Sequence, residues 1–281
     1  MRSAPNRTPA KAGVQGSKRR RLRLWIPACA GILMGAQLPA ETIFIAGDST
    51  AQTYKQDRYP QTGWGQMLPC GLTGDVQVEN RAMGGRSTKS FIAEGRWDKI
   101  MADIKPGDVV LIQFGHNDAS QNKPERYAPA ATLYRDNLLR MVWETKGHGA
   151  TPILITPVTR RSFGPDGKSK ADFAAWSAVV RDIAATTGTQ LIDLEASSRG
   201  WVDAKGVEGS KALFLHYPAG RYPGFKDGIA DDTHFSELGA RGVAELIAAD
   251  LTRTGLPVAA KVAKVRPDLT RTTPLGTMGC R

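Results

Sequence analysis

Thr42-Ile43-Phe44-Ile45-Ala46 is followed at once by Gly47-Asp48-Ser49-Thr50. Five residues apolar on both faces, rich in branched side chains and closed by a glycine turn, read as a strand buried between two layers. Similar runs recur at wide intervals: VQVE (76–79), DVVLIQF (108–114), PILIT (152–156) and QLIDL (190–194). Between them lie segments with helical spacing of apolar residues, at 88–104, 132–146, 170–186 and 237–251, with a short one near 65–68. The stripe in 132–146 carries Leu133, Leu138, Leu139, Val142 and Trp143. Strand alternating with helix predicts a parallel sheet covered on both faces. The expected fold is α/β: a three-layer αβα sandwich with a five-stranded parallel sheet, flavodoxin-like in its winding.

In such sheets ligands bind beyond the carboxyl ends of the strands, so the residues that follow each strand carry the functional information. After the first strand, Ser49 sits on a tight turn, which suits a nucleophile and equally suits a helix N-cap. After the second come Met83-Gly84-Gly85-Arg86, where paired glycines allow close backbone approach to a ligand. After the third come Gly115-His116-Asn117-Asp118, where Asn117 has a side-chain amide to donate. Late in the chain, Asp231 and His234 stand three residues apart. A carboxylate that orients an imidazole is the usual support for a hydroxyl nucleophile.

The order Ser, Gly, Asn, Asp-x-x-His, each block at a strand end, resembles the SGNH (GDSL-type) hydrolase superfamily. The strings YPQTGWGQML, NRAMGGRSTKSF, EGRWDKI, IQFGHND, TPVTRRSF, SKALFLHYPAG and DDTHFSELGA are similar to those of rhamnogalacturonan acetylesterases, carbohydrate esterase family 12, over roughly residues 42–252. The resemblance implies a catalytic triad of Ser49, Asp231 and His234. It implies an oxyanion hole of the Ser49 and Gly85 backbone N–H groups with the Asn117 amide. Neither metal nor organic cofactor is implied. The substrate it implies is acetylated pectic carbohydrate, whose uronate charges direct attention to Arg86, Arg160 and, less directly, Lys89 and Arg161. His216 is a further candidate for the cleft. His116 is expected to shape its loop, His148 to cap a helix C-terminus, and Trp64 to stack on a sugar or to pack between helix and sheet. Rival readings are an acetylesterase for xylan or small esters, a lipase-like esterase or thioesterase, and a carbohydrate-binding protein without activity. The polar loops RYPQTG and TRRSFGPDGKSK favour a sugar over a lipid.

Composition bounds the rest. The 281 residues are 41% hydrophobic and 23% charged, ordinary for a folded chain and unlike a disordered one. The net charge of +11 invites a nucleic-acid reading, but its location opposes it. Residues 1–40 hold eight basic residues and no acid, and 259–281 hold five basic residues and one acid. The intervening 41–258 balance 25 basic against 26 acidic residues. The first forty residues, with a basic run from Lys18 to Arg23 and a modest apolar stretch to Leu38, read as a signal peptide for export to the periplasm or beyond. Arg19-Arg20 resembles a twin-arginine signal and Ile26 to Cys29 a lipobox. The apolar stretch is interrupted by Pro27, Gly31 and Gly35 and is too short for a permanent membrane span. The expected folded domain is 41–258, and 259–281 is expected to be a disordered basic tail. Of the three cysteines, Cys70 and Cys280 are either partners in an exported protein or two unpaired thiols, and the sequence favours the latter.

Overall fold

A computed structural model describes residues 42–74 and 76–280; the export segment expected over 1–40 lies outside the described residues. Five parallel strands form the central sheet: β1 (Thr42–Gly47), β2 (Gln77–Asn80), β3 (Val109–Gln113), β4 (Thr151–Ile155) and β5 (Gln190–Ile192). Their order is β2-β1-β3-β4-β5. The chain winds one way to β2 and the other way from β3 onward, so the switch point falls between β1 and β3. There Ala46 stands opposite Ile112 and Gly47 opposite Gln113.

The period-two alternation of β1 divides the core. Ile43 and Ile45 point into one cluster, with side chains from α1 (Trp64–Met67), α6 (Leu194–Gly209) and α7 (Glu237–Leu251). Phe44 and Ala46 point into the other, with α2 (Thr88–Ala93), α3 (Arg96–Asp103), α4 (Arg135–Gly147) and α5 (Ala174–Thr187). This is the three-layer sandwich that the buried strands predicted. Trp64 is fully buried and donates from Nε1 to Gln113 Oε1 at 3.1 Å, which settles its role as packing between helix and sheet. Trp143, placed on the apolar stripe of its helix, is instead 55% exposed, with the Lys146 ammonium over its ring.

Several elements differ from expectation for local reasons. The single helix expected over 88–104 is two, because Gly95 takes a left-handed φ of 66° between α2 and α3. Ser87 opens α2 with a reciprocal capping box to Ser90. Helix α6 has no forecast: its three glycines blur the apolar stripe, and Asp193 starts it by accepting from Ala196 N. A two-stranded antiparallel sheet outside the main one, β6 (Phe214–Tyr217) and β7 (Ile229–Phe235), was also unanticipated.

The disordered tail and the unpaired thiols are both corrected. Ala263 N donates to Gly71 O at 2.9 Å, and Leu269 and Met278 are buried. Cys70 and Cys280 form a disulfide, with Cα atoms 5.2 Å apart. Arg241, fully buried on α7, donates to Glu237 Oε1 at 2.9 Å and to the carbonyls of Asp268, Thr277 and Gly279. Glu237 in turn accepts from Leu275 N, Gly276 N and the Tyr59 hydroxyl. The segment is thus held by backbone groups docked on one buried ion pair. Such anchoring leaves no apolar period in the sequence, so composition alone reads as disorder.

Candidate active site

The turn after β1 is fixed from beneath. Asp48, fully buried, accepts from the Thr50 N–H and hydroxyl through Oδ1, at 2.9 and 2.8 Å. The Thr50 hydroxyl also reaches Gln113 Oε1 on β3. Tyr54 donates its hydroxyl to the Ser49 carbonyl at 2.8 Å. Ser49 is left half-buried at the switch point. No helix follows it directly: residues 49–51 are a turn and α1 begins only at Trp64, so local N–H groups rather than a helix dipole face this serine.

His234 lies on β7 with its Nε2 2.9 Å from Ser49 Oγ. Its Nδ1 is 2.7 Å from Asp231 Oδ2. Since the carboxylate can only accept, the ring proton belongs on Nδ1 and the Nε2 lone pair faces the serine hydroxyl. Asp231 is locked by its own strand: Oδ1 accepts from Thr233 N at 2.7 Å and His234 N at 3.0 Å. Partial burial pushes the Asp231 carboxyl up, but the His234 ring and these two N–H groups outweigh it and hold it at about 2. It is therefore a carboxylate at any ordinary pH.

Three donors converge on the other side of Ser49. Gly84 N is taken by Gln52 Oε1 at 2.5 Å, while Gly85 takes a left-handed φ of 78°. Among the described residues neither Ser49 N–H nor Gly85 N–H has an acceptor. Asn117 gives one amide hydrogen to Arg86 O at 3.0 Å, which aims the group and leaves the second hydrogen available. Ser49, Gly85, Asn117, Asp231 and His234 all line one cleft of about 440 Å³. It opens beside a groove of about 1020 Å³ bordered by Arg161, Phe163, Phe173 and Asp232, and both cavities share His116, Ser120, Arg160 and Thr233.

Behind the donors sit three buried ionisable groups. Burial raises the Asp48 carboxyl and drives the His116 imidazole well below its usual range, so His116 is neutral. Burial also lifts Asp118 to about 7, although Thr88 N and Oγ1 both donate to it. Asp118 thereby ties the start of α2 to the loop that carries Asn117.

The other candidates separate. Arg160 lines the cleft. Arg86 does not: its guanidinium is committed to Glu94 and to Gly84 O. Lys89 donates to Pro124 O, and Arg161 pairs with Asp232. His216 is 2.7 Å from Asp232 Oδ1 and borders neither cavity. His148 closes α4 by contacting Glu144 O through Nδ1. Arg126, Gln52 and Tyr54 line the cleft without any motif announcing them. Among the described residues no group of three or more His, Cys, Asp or Glu side chains could hold a metal ion.

A family profile described as GDSL-like Lipase/Acylhydrolase matches residues 45–241, the stretch from β1 into α7 that builds this site. The chain belongs to that family. Among its GDSL-like relatives, YesY of Bacillus subtilis, named a probable rhamnogalacturonan acetylesterase, is 40% identical over 227 residues, 81% of this chain and 100% of YesY. The rhamnogalacturonan acetylesterase RhgT of Bacillus subtilis is 38% identical over 216 residues, 77% of this chain and 91% of RhgT. The crystal structure of YxiM from Bacillus subtilis superposes with a TM-score of 0.66 at 30% identity over 77% of this chain; the match spans 57% of YxiM. An acetyl xylan esterase, AlAXEase, shares the fold at TM-score 0.55 and 18% identity, over 74% of this chain and 98% of its own. This GDSL-like protein is a carboxylic ester hydrolase.

Proposed function

We propose that the protein removes O-acetyl groups from acetylated pectic rhamnogalacturonan, or from oligosaccharides derived from it, through a covalent acyl-enzyme. The observation that carries this reading is the unbroken line from Asp231 through His234 to Ser49, 2.7 and 2.9 Å long, ending beside backbone donors that have no acceptor. His234 Nε2 takes the Ser49 proton as Oγ attacks the acetyl carbonyl. The imidazolium so formed is stabilised by Asp231, which stays ionised throughout. The carbonyl oxygen becomes an oxyanion that Ser49 N–H, Gly85 N–H and the free Asn117 amide hydrogen receive. His234 then returns the proton to the departing sugar hydroxyl. Water, deprotonated by the same ring, releases acetate. The substrate class is supported by the relatives that carry the acetylesterase names across most of this chain.

Asn117→Ala tests the donor set directly. Turnover of an aryl acetate is expected to fall about 10²–10³-fold, with KM changed far less, because the lost bond strengthens as charge develops on oxygen. Equal turnover in the two proteins would remove Asn117 from the oxyanion hole.

The substrate reading is tested by acetate release from acetylated rhamnogalacturonan, acetylated xylan and an aryl acetate. A kcat/KM highest on the pectic substrate is expected. Release from xylan and the aryl ester alone would keep the chemistry and replace the substrate.

Export belongs to the same reading. The disulfide between Cys70 and Cys280 supports folding in an oxidising compartment, in keeping with the signal-like character of residues 1–40.

A further inference from the structure

Two guanidinium groups in the catalytic cleft make no ion pair at contact distance, although Arg160 is close enough to the buried Asp48 to favour its ionised form. Arg126 and Arg160 both line it and both are half-buried. The Nε of each is shut off from solvent and bonded to nothing, and among the described residues neither side chain has an acceptor or an ion-pair partner. Neighbouring arginines behave otherwise: Arg86 is paired with Glu94, Arg161 with Asp232, and Arg181 with Asp193 and Glu195. The acids that border the two cavities are already engaged. Asp231 holds His234, Asp232 takes Arg161 and His216, and Asp172 accepts from the Ser162 hydroxyl. Within the catalytic cleft itself Arg126 and Arg160 outnumber the one lining carboxylate, Asp231, so the charge that meets a substrate there is positive. Half-burying a cation without a partner is costly, and a ligand that brings the partner recovers that cost on binding.

Each group also has a defined place. The Arg160 guanidinium lies 4.9 Å from the centroid of the Phe173 ring, and that ring packs at 4.3 Å on the buried, neutral His116. This column fixes Arg160 where cleft and groove meet. Arg126 stands on the oxyanion side: a Cβ added to Gly85 would lie 3.9 Å from its Nη1. A planar fork held in place suits bidentate capture of a carboxylate better than a mobile ammonium does.

We propose that Arg126 and Arg160 are a carboxylate-reading pair that selects acetyl esters carried on an acidic glycan. Arg126 takes the uronate carboxylate nearest the reacting acetyl group, and Arg160 takes that of the sugar entering the groove. The inference rests on the esterase reading and assigns to two named side chains the recognition of the uronate charges on its substrate.

The test uses the wild-type protein with Arg126→Gln, Arg160→Gln and Arg160→Lys. Aryl acetate hydrolysis is measured with oligogalacturonate as inhibitor and, separately, with the same oligomers after carboxyl reduction. Wild type is expected to be inhibited at least about tenfold more tightly by the acidic oligomers, and added salt should erode the preference. Each glutamine variant should lose most of it, with Arg160→Lys recovering part. On acetylated pectic oligosaccharides the glutamine variants should raise KM at least about tenfold and change kcat less. Equal inhibition of wild type by charged and reduced oligomers would overturn the proposal. So would glutamine variants that lower kcat alike on charged and neutral esters, since that result assigns the arginines to the oxyanion. Where a variant fails to fold, the charge preference and salt dependence of wild type decide. A protein that releases no acetate from pectic chains, yet loses oligogalacturonate inhibition in the variants, would end the rhamnogalacturonan reading and leave this inference standing.

Discussion

Ser49→Ala is expected to lower acetate release by about four to six orders of magnitude while leaving the fold intact. The change removes one oxygen that protrudes into the cleft and contributes nothing to the core. The turn is held by other atoms: Thr50 on Asp48, Gln52 N on the Asp48 carbonyl, and Tyr54 on the Ser49 carbonyl. The alanine therefore keeps its N–H in place as an oxyanion donor, and any residual rate measures what the donors and substrate binding achieve without a nucleophile. The loss is near-complete because His234 and Asp231 then have no serine hydroxyl to deprotonate. Acetate release and thermal unfolding, followed on the same preparations, check both halves of the expectation. An unchanged melting temperature with more than about a hundredth of wild-type turnover would require a different nucleophile.

Arg241→Ala is expected to destabilise the protein by about 3–5 kcal/mol, the largest stability effect we foresee for one side chain. Arg241 is fully buried and its partner Glu237 is 1% exposed. Removing the cation strands a carboxylate in the interior and leaves three carbonyls of the C-terminal segment without their donor. Water cannot enter cheaply, because both side chains of the pair are shut off from solvent. Reduction of the Cys70–Cys280 disulfide should compound the loss. Its 210-residue separation sets an entropic ceiling of about 5 kcal/mol, with about 2–4 more usual. Denaturant titrations with and without reductant measure both effects. If Arg241→Ala unfolds at the wild-type midpoint, the buried pair does not hold the segment.

The sequence disclosed what is periodic or crowded. Ile43 to Ala46 and Val109 to Ile112 alternate between two cores, and such runs have few competing explanations. Ser49 and Asn117 were legible because polar groups crowd the ends of apolar strands, and His234 because Asp231 stands three residues before it. The elements that stayed hidden depend on partners distant in sequence. The β6 strand is only four residues long, β7 is mostly polar and partly exposed, and a long connection joins them, so neither carries a strong signal alone. Arg126 sits in a loop of turns with no motif, and only the folded chain brings it near Gly85. Arg86 shows the converse. It lies inside a motif, yet Glu94, eight residues on, takes its guanidinium.

Ser49 and His234 meet across 185 positions of chain. Helices form within microseconds and neighbouring strands pair early, whereas contacts of this range close late. Ser49 is therefore placed once β1 and β3 associate, but His234 reaches it only when β7 docks against the turn. Until β7 docks, a chain with its sheet and helices in place still lacks the Ser49–His234 contact. Turnover therefore reports that β7 has docked on the β1 turn, which a measure of helix or sheet content does not.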